Sequence, residues 1–195
     1  MKPVVLIGRG GHALSCLDVL RATKQYDVLG YVDKTQTGDW EGLPCLGNDS
    51  ELSRVLKTCS SVVIAIGQVE SSEVRRNVVE RLQKLGAQFP VIVAPTAYVA
   101  SGVKLGEGTI VMHGAHVGPG VVAGSFNIFN TKSLIEHGCQ LGSFIHVATA
   151  AVINGDVSVS DNVFIGSNSV LCQGIRVPPS AFVQAGAFIG RKHDW

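Results

Sequence analysis

A six-residue beat runs unbroken through the second half of this chain. Counting by six from Val93, the positions read Val93, Val99, Leu105, Val111, Val117, Ala123, Phe129, Ile135, Leu141, Val147, Ile153, Val159, Ile165, Leu171, Val177, Val183 and Ile189. Fifteen of the seventeen are Val, Ile or Leu, and Ala123 and Phe129 are also apolar. Chance does not hold one phase for so long. A fixed short period marks a solenoid, in which each repeat buries an apolar side chain against the repeats beside it.

The other hexad positions agree. With the apolar position as i, all fourteen glycines after Val93 fall at i+1, i+2 or i+3. Pro95, Pro119, Pro178 and Pro179 lie in the same window. Glycine and proline mark the places where a chain turns. Position i+4 is mostly small or β-branched, as at Ala97, Val103, Thr109, Ala115, Val121, Ser133, Ala151, Val157 and Ser169. Position i+4 and the next i are two apart and face the same way, into a core. Each hexad therefore reads as a short strand and a corner. This pattern resembles that of the hexapeptide-repeat acyltransferases. The resemblance covers the chain from about Val93 onward, and it implies a left-handed parallel β-helix with three hexads to a triangular coil.

The first ninety residues follow a different pattern. Val4-Val5-Leu6-Ile7, Val28–Asp33 and Val62–Gly67 read as buried parallel-type strands. Ala13–Arg21, Asp49–Lys57 and Ser72–Leu85 read as helices, and Phe89–Val93 as a last strand leading into the solenoid. Strand–helix alternation implies a small parallel α/β sheet. The expected fold is thus a Rossmann-like α/β domain over residues 1–92 followed by a β-helix over residues 93–195.

The turn Gly8-Arg9-Gly10-Gly11-His12-Ala13 matches G-x-G-x-x-G/A, and an acid, Asp33, ends the second strand. Glycines let a backbone approach a diphosphate, and a helix N-terminus offers free N–H groups to its charge. An acid at Asp33 can accept hydrogen bonds from a ribose or a base. Ninety residues make about half a dinucleotide fold, so a single nucleoside diphosphate suits the domain better than NAD. The candidate binding residues are Gly8, Arg9, Gly10, Gly11, His12, Asp33, Lys34 and Gly67.

The stretch Asn130-Thr131-Lys132-Ser133-Leu134-Ile135-Glu136-His137-Gly138-Cys139-Gln140-Leu141-Gly142, taken with the Gly8–His12 turn, resembles the bacterial sugar O- and N-acetyltransferases of surface-glycan synthesis. These include the nucleotide 4-amino-sugar N-acetyltransferases and relatives of the sialic-acid O-acetyltransferase. The resemblance covers nearly the whole chain. It implies acetyl-CoA as co-substrate, a nucleotide sugar as acceptor, and His137 as general base. Residue chemistry supports the last role: His137 is at i+2, an outward corner position, and imidazole titrates near working pH. Many relatives carry Asp or Glu directly after this histidine, where this chain has Gly138. Glu136 is one candidate for the orienting carboxylate, and an acid from a neighbouring subunit is another. His146, an outward strand position, resembles a second family histidine that contacts the acetyl donor. Asn154, Gly155 and Gly142 complete the expected donor site. Cys139 points inward and is not expected to act as a nucleophile. His113 and His116 read as surface or interface residues. The tail Gly190–Trp195 lacks the Gly-x-Pro-Ala segment usual in relatives, so a more open donor site is expected.

Composition narrows the classes. A net charge of +1 argues against a nucleic-acid surface. Five scattered cysteines without CxxC or zinc spacing read as reduced thiols of a cytoplasmic protein and imply no metal. No secretory leader and no 18-residue apolar run is visible. Outward apolar residues at i+5, such as Val122, Ile128, Leu134, Val170 and Phe182, imply a homotrimer. The leading expectation is an N-acetyltransferase acting on the 4-amino group of a nucleotide-linked sugar, with uridine diphosphate as carrier. The alternatives are a sugar O-acetyltransferase, a non-catalytic β-helix scaffold and a nucleotide-dependent oxidoreductase.

Overall fold

The structure is a computed structural model that describes residues 1–35, 38–69 and 71–190. The chain forms two compact units, Met1–Gly67 with Glu73–Pro90, and Gln68–Ser72 with Val91–Trp195. The short tail over residues 191–195, on which the expectation of a more open donor site rests, lies outside the described residues.

In the first unit, strands β1 (Lys2–Ile7), β2 (Tyr26–Val32), β3 (Cys45–Gly47) and β4 (Val62–Ile64) form a parallel sheet of order β3-β2-β1-β4. Val4 to Ile7 and Val62 to Ile64 are all buried, as expected of strands covered on both faces. Helices α1 (Gly11–Thr23), α2 (Leu52–Thr58) and α3 (Glu73–Lys84) complete the unit. Helix α2 is preceded by a 3-10 turn, Asp49–Glu51, capped by the Asn48 side chain. Strand β3 was not expected, because Cys45-Leu46-Gly47 is short and carries no β-branched run. The strand expected over Phe89–Val93 does not join this sheet. Gln88 makes a single bridge to Ser61, and Ile92–Val93 opens the β-helix instead.

In the second unit each hexad contributes a two-residue strand, from Ile92–Val93 to Phe188–Ile189. Every strand pairs in parallel with the strand three hexads on, as Ile92 does with Ile110 and Leu134 with Val152. The strands fall into three sheets. The first runs through Ile92, Ile110, Ile128, His146, Phe164 and Phe182 at its outward positions. The second presents Tyr98, His116, Leu134, Val152, Val170 and Phe188. The third presents Lys104, Val122, Gln140, Ser158 and Arg176.

The hexad residues and the i+4 residues together fill the interior. Val111, Val117, Phe129, Ile135, Val147, Ile153 and Ile165 are fully buried, and so are Val121, Cys139, Ile145, Ala151 and Val157. Burying one such aliphatic side chain contributes about 1.5–3 kcal/mol, and the stacked coils repeat that gain. The i+3 corner residue takes a left-handed backbone, in Gly138 (φ 71) as in Lys132 (φ 59) and Asp156 (φ 59), so glycine is favoured there.

The three outward faces differ. The third sheet is mostly polar. The second is apolar and open, with Tyr98 56% and Phe188 71% exposed. On the first, Ile92, Ile110 and Ile128 are buried, so Ile128 is not the exposed apolar residue its outward position suggests. Gln68 and Ser72 lie against this first sheet. Gln68 Nε2 donates to the Phe144 carbonyl (2.9 Å), and Ser72 Oγ donates to Asn162 Oδ1 (2.8 Å). Among the described residues no helix is long and apolar enough to cross a membrane.

Candidate active site

The order β3-β2-β1-β4 places the ends of β1, β2 and β4 side by side, the arrangement that opens a crevice at the carboxyl ends of parallel strands. Gly8 follows β1, Asp33 follows β2, and Gly67 lies just beyond β4. All eight residues singled out in the first domain line one cavity of about 450 Å³: Gly8, Arg9, Gly10, Gly11, His12, Asp33, Lys34 and Gly67. Gly8 has φ 102, and a Cβ there would press on Ile66 and the Ala65 carbonyl. A Cβ on Gly10 or Gly11 would meet nothing within 4 Å, so these two face open space. Gly10 is the N-cap of α1, no side chain caps the helix, and its first turn holds no acid. Its N–H groups and dipole are therefore suited to an anion.

Asp33 also organises the turn itself. Its Oδ2 accepts the Arg9 N–H (3.1 Å), and its Oδ1 accepts from the Thr35 N–H (3.2 Å) and hydroxyl (3.1 Å). The sequence reading missed the opposite wall, made by Asp49, Val74 and Val78. Val74 is a large apolar residue that α3 leaves exposed, away from its buried Val79 and Leu82, and that second apolar face was the available signal.

In the β-helix, His137 occupies the corner between the second and third sheets. Its ring lies against Gly155, one coil on. A Cβ at Gly155 would come within 2.5 Å of both Cε1 and Nε2. Beside the ring stands a carboxylate: His137 Nδ1 is 3.8 Å from Asp156 Oδ1, with both side chains more than half exposed. The Asp156 N–H donates to the His137 carbonyl (2.9 Å), fixing the two residues in register. Within this chain the carboxylate that stands beside the imidazole is that of Asp156. Asp156 is eighteen residues beyond Gly138, in the same position one coil on. Asp156 stacks over Gly138 and not over His137, so stepping one coil on from His137 leads to Gly155 and passes this residue by.

Asn154 shares the His137 corner and is half-buried, its Nδ2 donating to the Leu171 carbonyl (2.8 Å). The Cys139 Sγ donates to the Asn154 carbonyl (3.2 Å). Burial first, then the negative charges of Asp156 and Glu136, push the Cys139 thiol up, so little thiolate forms.

Gly142 and His146 lie elsewhere on the chain. Gly142 is at the corner between the third and first sheets, packed under the Asp161 carboxylate. His146 is on the first sheet and is not the open surface residue its outward position suggests. It is 7% exposed, with Gln68 lying against that sheet. Its Nδ1 meets the Gln68 carbonyl, which can only accept, so Nδ1 carries the proton. Nε2 is then left to accept from Asn130 Nδ2 (3.1 Å). Asn130 is oriented by its own Oδ1, which accepts the Thr131 N–H (2.8 Å). His113 and His116 are half-buried on the coil. His113 Nδ1 pairs with Thr96 Oγ1 (2.7 Å), and the His116 ring stacks on Tyr98.

Known proteins share both units. The family described as the PglD N-terminal domain matches residues 3–82. The UDP-N-acetylbacillosamine N-acetyltransferase of Bacillus subtilis (strain 168) is 27% identical over 115 residues, covering 57% of this chain and 52% of that protein. The matched stretch thus spans about half the length of that curated relative. Among solved structures, one is a histidine-to-asparagine mutant of perosamine N-acetyltransferase from Caulobacter crescentus, in complex with CoA and GDP-perosamine. It is 29% identical, with a TM-score of 0.91 over 98% of this chain and 90% of that one. Another is the acetyltransferase domain of PglB from Neisseria gonorrhoeae FA1090 in complex with acetyl coenzyme A. It is 25% identical, with a TM-score of 0.86 over 96% of this chain and 92% of that one. Both units find their counterparts in the same solved structures and in the same order, so over nearly its whole length the chain is similar to sugar N-acetyltransferases of this two-part build.

Proposed function

We propose that this protein transfers the acetyl group of acetyl-CoA to the 4-amino group of a nucleotide-linked amino-dideoxy sugar, in the synthesis of a bacterial surface glycan. The observation that carries this reading is the His137 imidazole, held open at a corner of the coil over Gly155 and beside Asp156. The amine nitrogen attacks the thioester carbonyl while His137 takes its proton. The C–S bond then breaks, the acetyl group stays on nitrogen, and coenzyme A leaves as the thiol once it regains a proton. No acyl-enzyme is needed, in keeping with the buried and weakly acidic Cys139.

The nucleotide diphosphate occupies the cavity at the N-terminus of α1, with Gly10 and Gly11 against the phosphates. Asp33 shapes the Arg9 turn and presents its carboxylate toward the ribose or base. Uridine is the proposed base, supported by the bacillosamine relative. Guanosine is the second reading, favoured by the perosamine enzyme's complex with GDP-perosamine. The acetyl donor runs past Asn154 and Gly155, and Gly142 and His146 belong to a second stretch of its path. Within one chain these two lie at other edges of the coil. We therefore place the donor groove between copies of a homotrimer, with His146 acting through Asn130.

The test measures coenzyme A thiol release with UDP-, GDP- and dTDP-linked 4-amino sugars and with their 4-hydroxy counterparts. The account expects turnover with an amine acceptor and the highest kcat/KM for the UDP form. Turnover confined to the hydroxyl acceptors would make the protein an O-acetyltransferase. Turnover with none of them would contradict the reading.

A further inference from the structure

We propose that Asp156 is the residue that positions His137 for proton transfer, supplied from the neighbouring coil at the place where the histidine's own coil carries Gly138. The inference rests on His137 as the base of the proposed reaction. Three observations converge on it. The Asp156 carboxylate is the group that stands beside His137 Nδ1, at 3.8 Å. The backbone bond from the Asp156 N–H to the His137 carbonyl holds the two residues in one register of the stacked coils. Gly138 lies beneath Asp156 in the stack, and a Cβ built on it would collide with Asp156 Oδ1.

That collision gives the arrangement its meaning. A side chain at position 138 and the Asp156 carboxylate would compete for the place beside the ring. Its acid can come from the coil of the histidine or from the next coil. Here it comes from the next, and the bare Gly138 is what makes room for it. Gly155 completes the device: its missing side chain seats the ring flat on the coil, with Nδ1 toward Asp156. A carboxylate on that side favours the tautomer with the proton on Nδ1, leaving Nε2 as the acceptor for the amine proton. At 3.8 Å the pair is longer than a hydrogen bond. Contacts of this kind close up when substrate excludes water from the corner.

Two variants test this, each measured for kcat, for KM of both substrates and for Tm. Asp156→Asn removes the charge and keeps the shape. It should lower kcat about 10- to 100-fold, the usual result of a misoriented catalytic group. It should leave both KM values within about twofold and Tm unchanged, because an exposed pair adds little stability. The relocated double variant Gly138→Asp/Asp156→Gly returns a carboxylate to the same space from the opposite coil. Aspartate tolerates the left-handed backbone at position 138, so kcat should recover most of what Asp156→Asn loses. A purely structural role for Asp156 would predict no such recovery. Wild-type kcat in Asp156→Asn would overturn the inference, as would a relocated variant no faster than Asp156→Asn. His137→Ala is measured alongside. If it is inactive while Asp156→Asn is fully active, the inference about Asp156 alone fails. If it is fully active, the assignment of His137 fails first.

Discussion

Gly155 has no side chain because an imidazole occupies the space where one would be. Its φ lies outside the left-handed region, so alanine is acceptable to the backbone and the consequence of substitution is local. Gly155→Ala should therefore fold normally, push the His137 ring off its seat and lower kcat by about 10- to 100-fold. Steady-state kinetics with a melting curve on the same sample check this, and unchanged kcat would show that the ring needs no such seat. The residue scale is also where sequence reading reached furthest and fell shortest. The open corner place of His137 was legible because the hexad phase alone puts position i+2 outside the coil. Asp156 was not, because His137 lies nineteen residues away, and only the stacking of coils makes the two neighbours. His146 was read as outward, which is correct for its coil position. Its burial depends on Gln68, a residue in a loop of the other half of the sequence that no periodicity links to it.

At the scale of elements, the β1 turn and helix α1 act together. Gly10 caps α1 with an extended backbone and no side chain, and the helix end opens onto the cavity. Gly10→Val would fill the space in which a diphosphate needs close backbone approach. It should raise KM for the nucleotide sugar several-fold more than KM for acetyl-CoA, as initial-rate measurements with each substrate varied in turn would show. Equal effects on both would detach the cavity from the acceptor. This turn was legible because strand, glycines and helix follow one another directly. The short strand Cys45–Gly47 and the end of the sheet near Gln88 were not, since two or three residues without β-branched character give no period to read. The hexads succeeded for the opposite reason, since seventeen repeats of one pattern leave a single phase open.

At the scale of the whole molecule, the three faces of the β-helix have three characters, and one of them is unsuited to water. The face carrying Tyr98, Leu134, Val152, Val170 and Phe188 is apolar apart from His116. Patches of this kind are ordinarily buried between copies. Sedimentation equilibrium should give a mass three times that of the 20.5 kDa chain, and Phe188→Glu should weaken the assembly. A stable monomer at micromolar concentration would remove the intersubunit donor groove. The central claim is that a corner histidine of this assembly takes the proton from an amine as it attacks acetyl-CoA. The measurement that tests it most directly is the turnover number of His137→Ala with a nucleotide-linked 4-amino sugar, on protein shown to keep its fold and assembly. General-base catalysis is typically worth about 10²–10⁴-fold, and the account predicts a loss of that size. Near-wild-type turnover across pH 6 to 8 would contradict it.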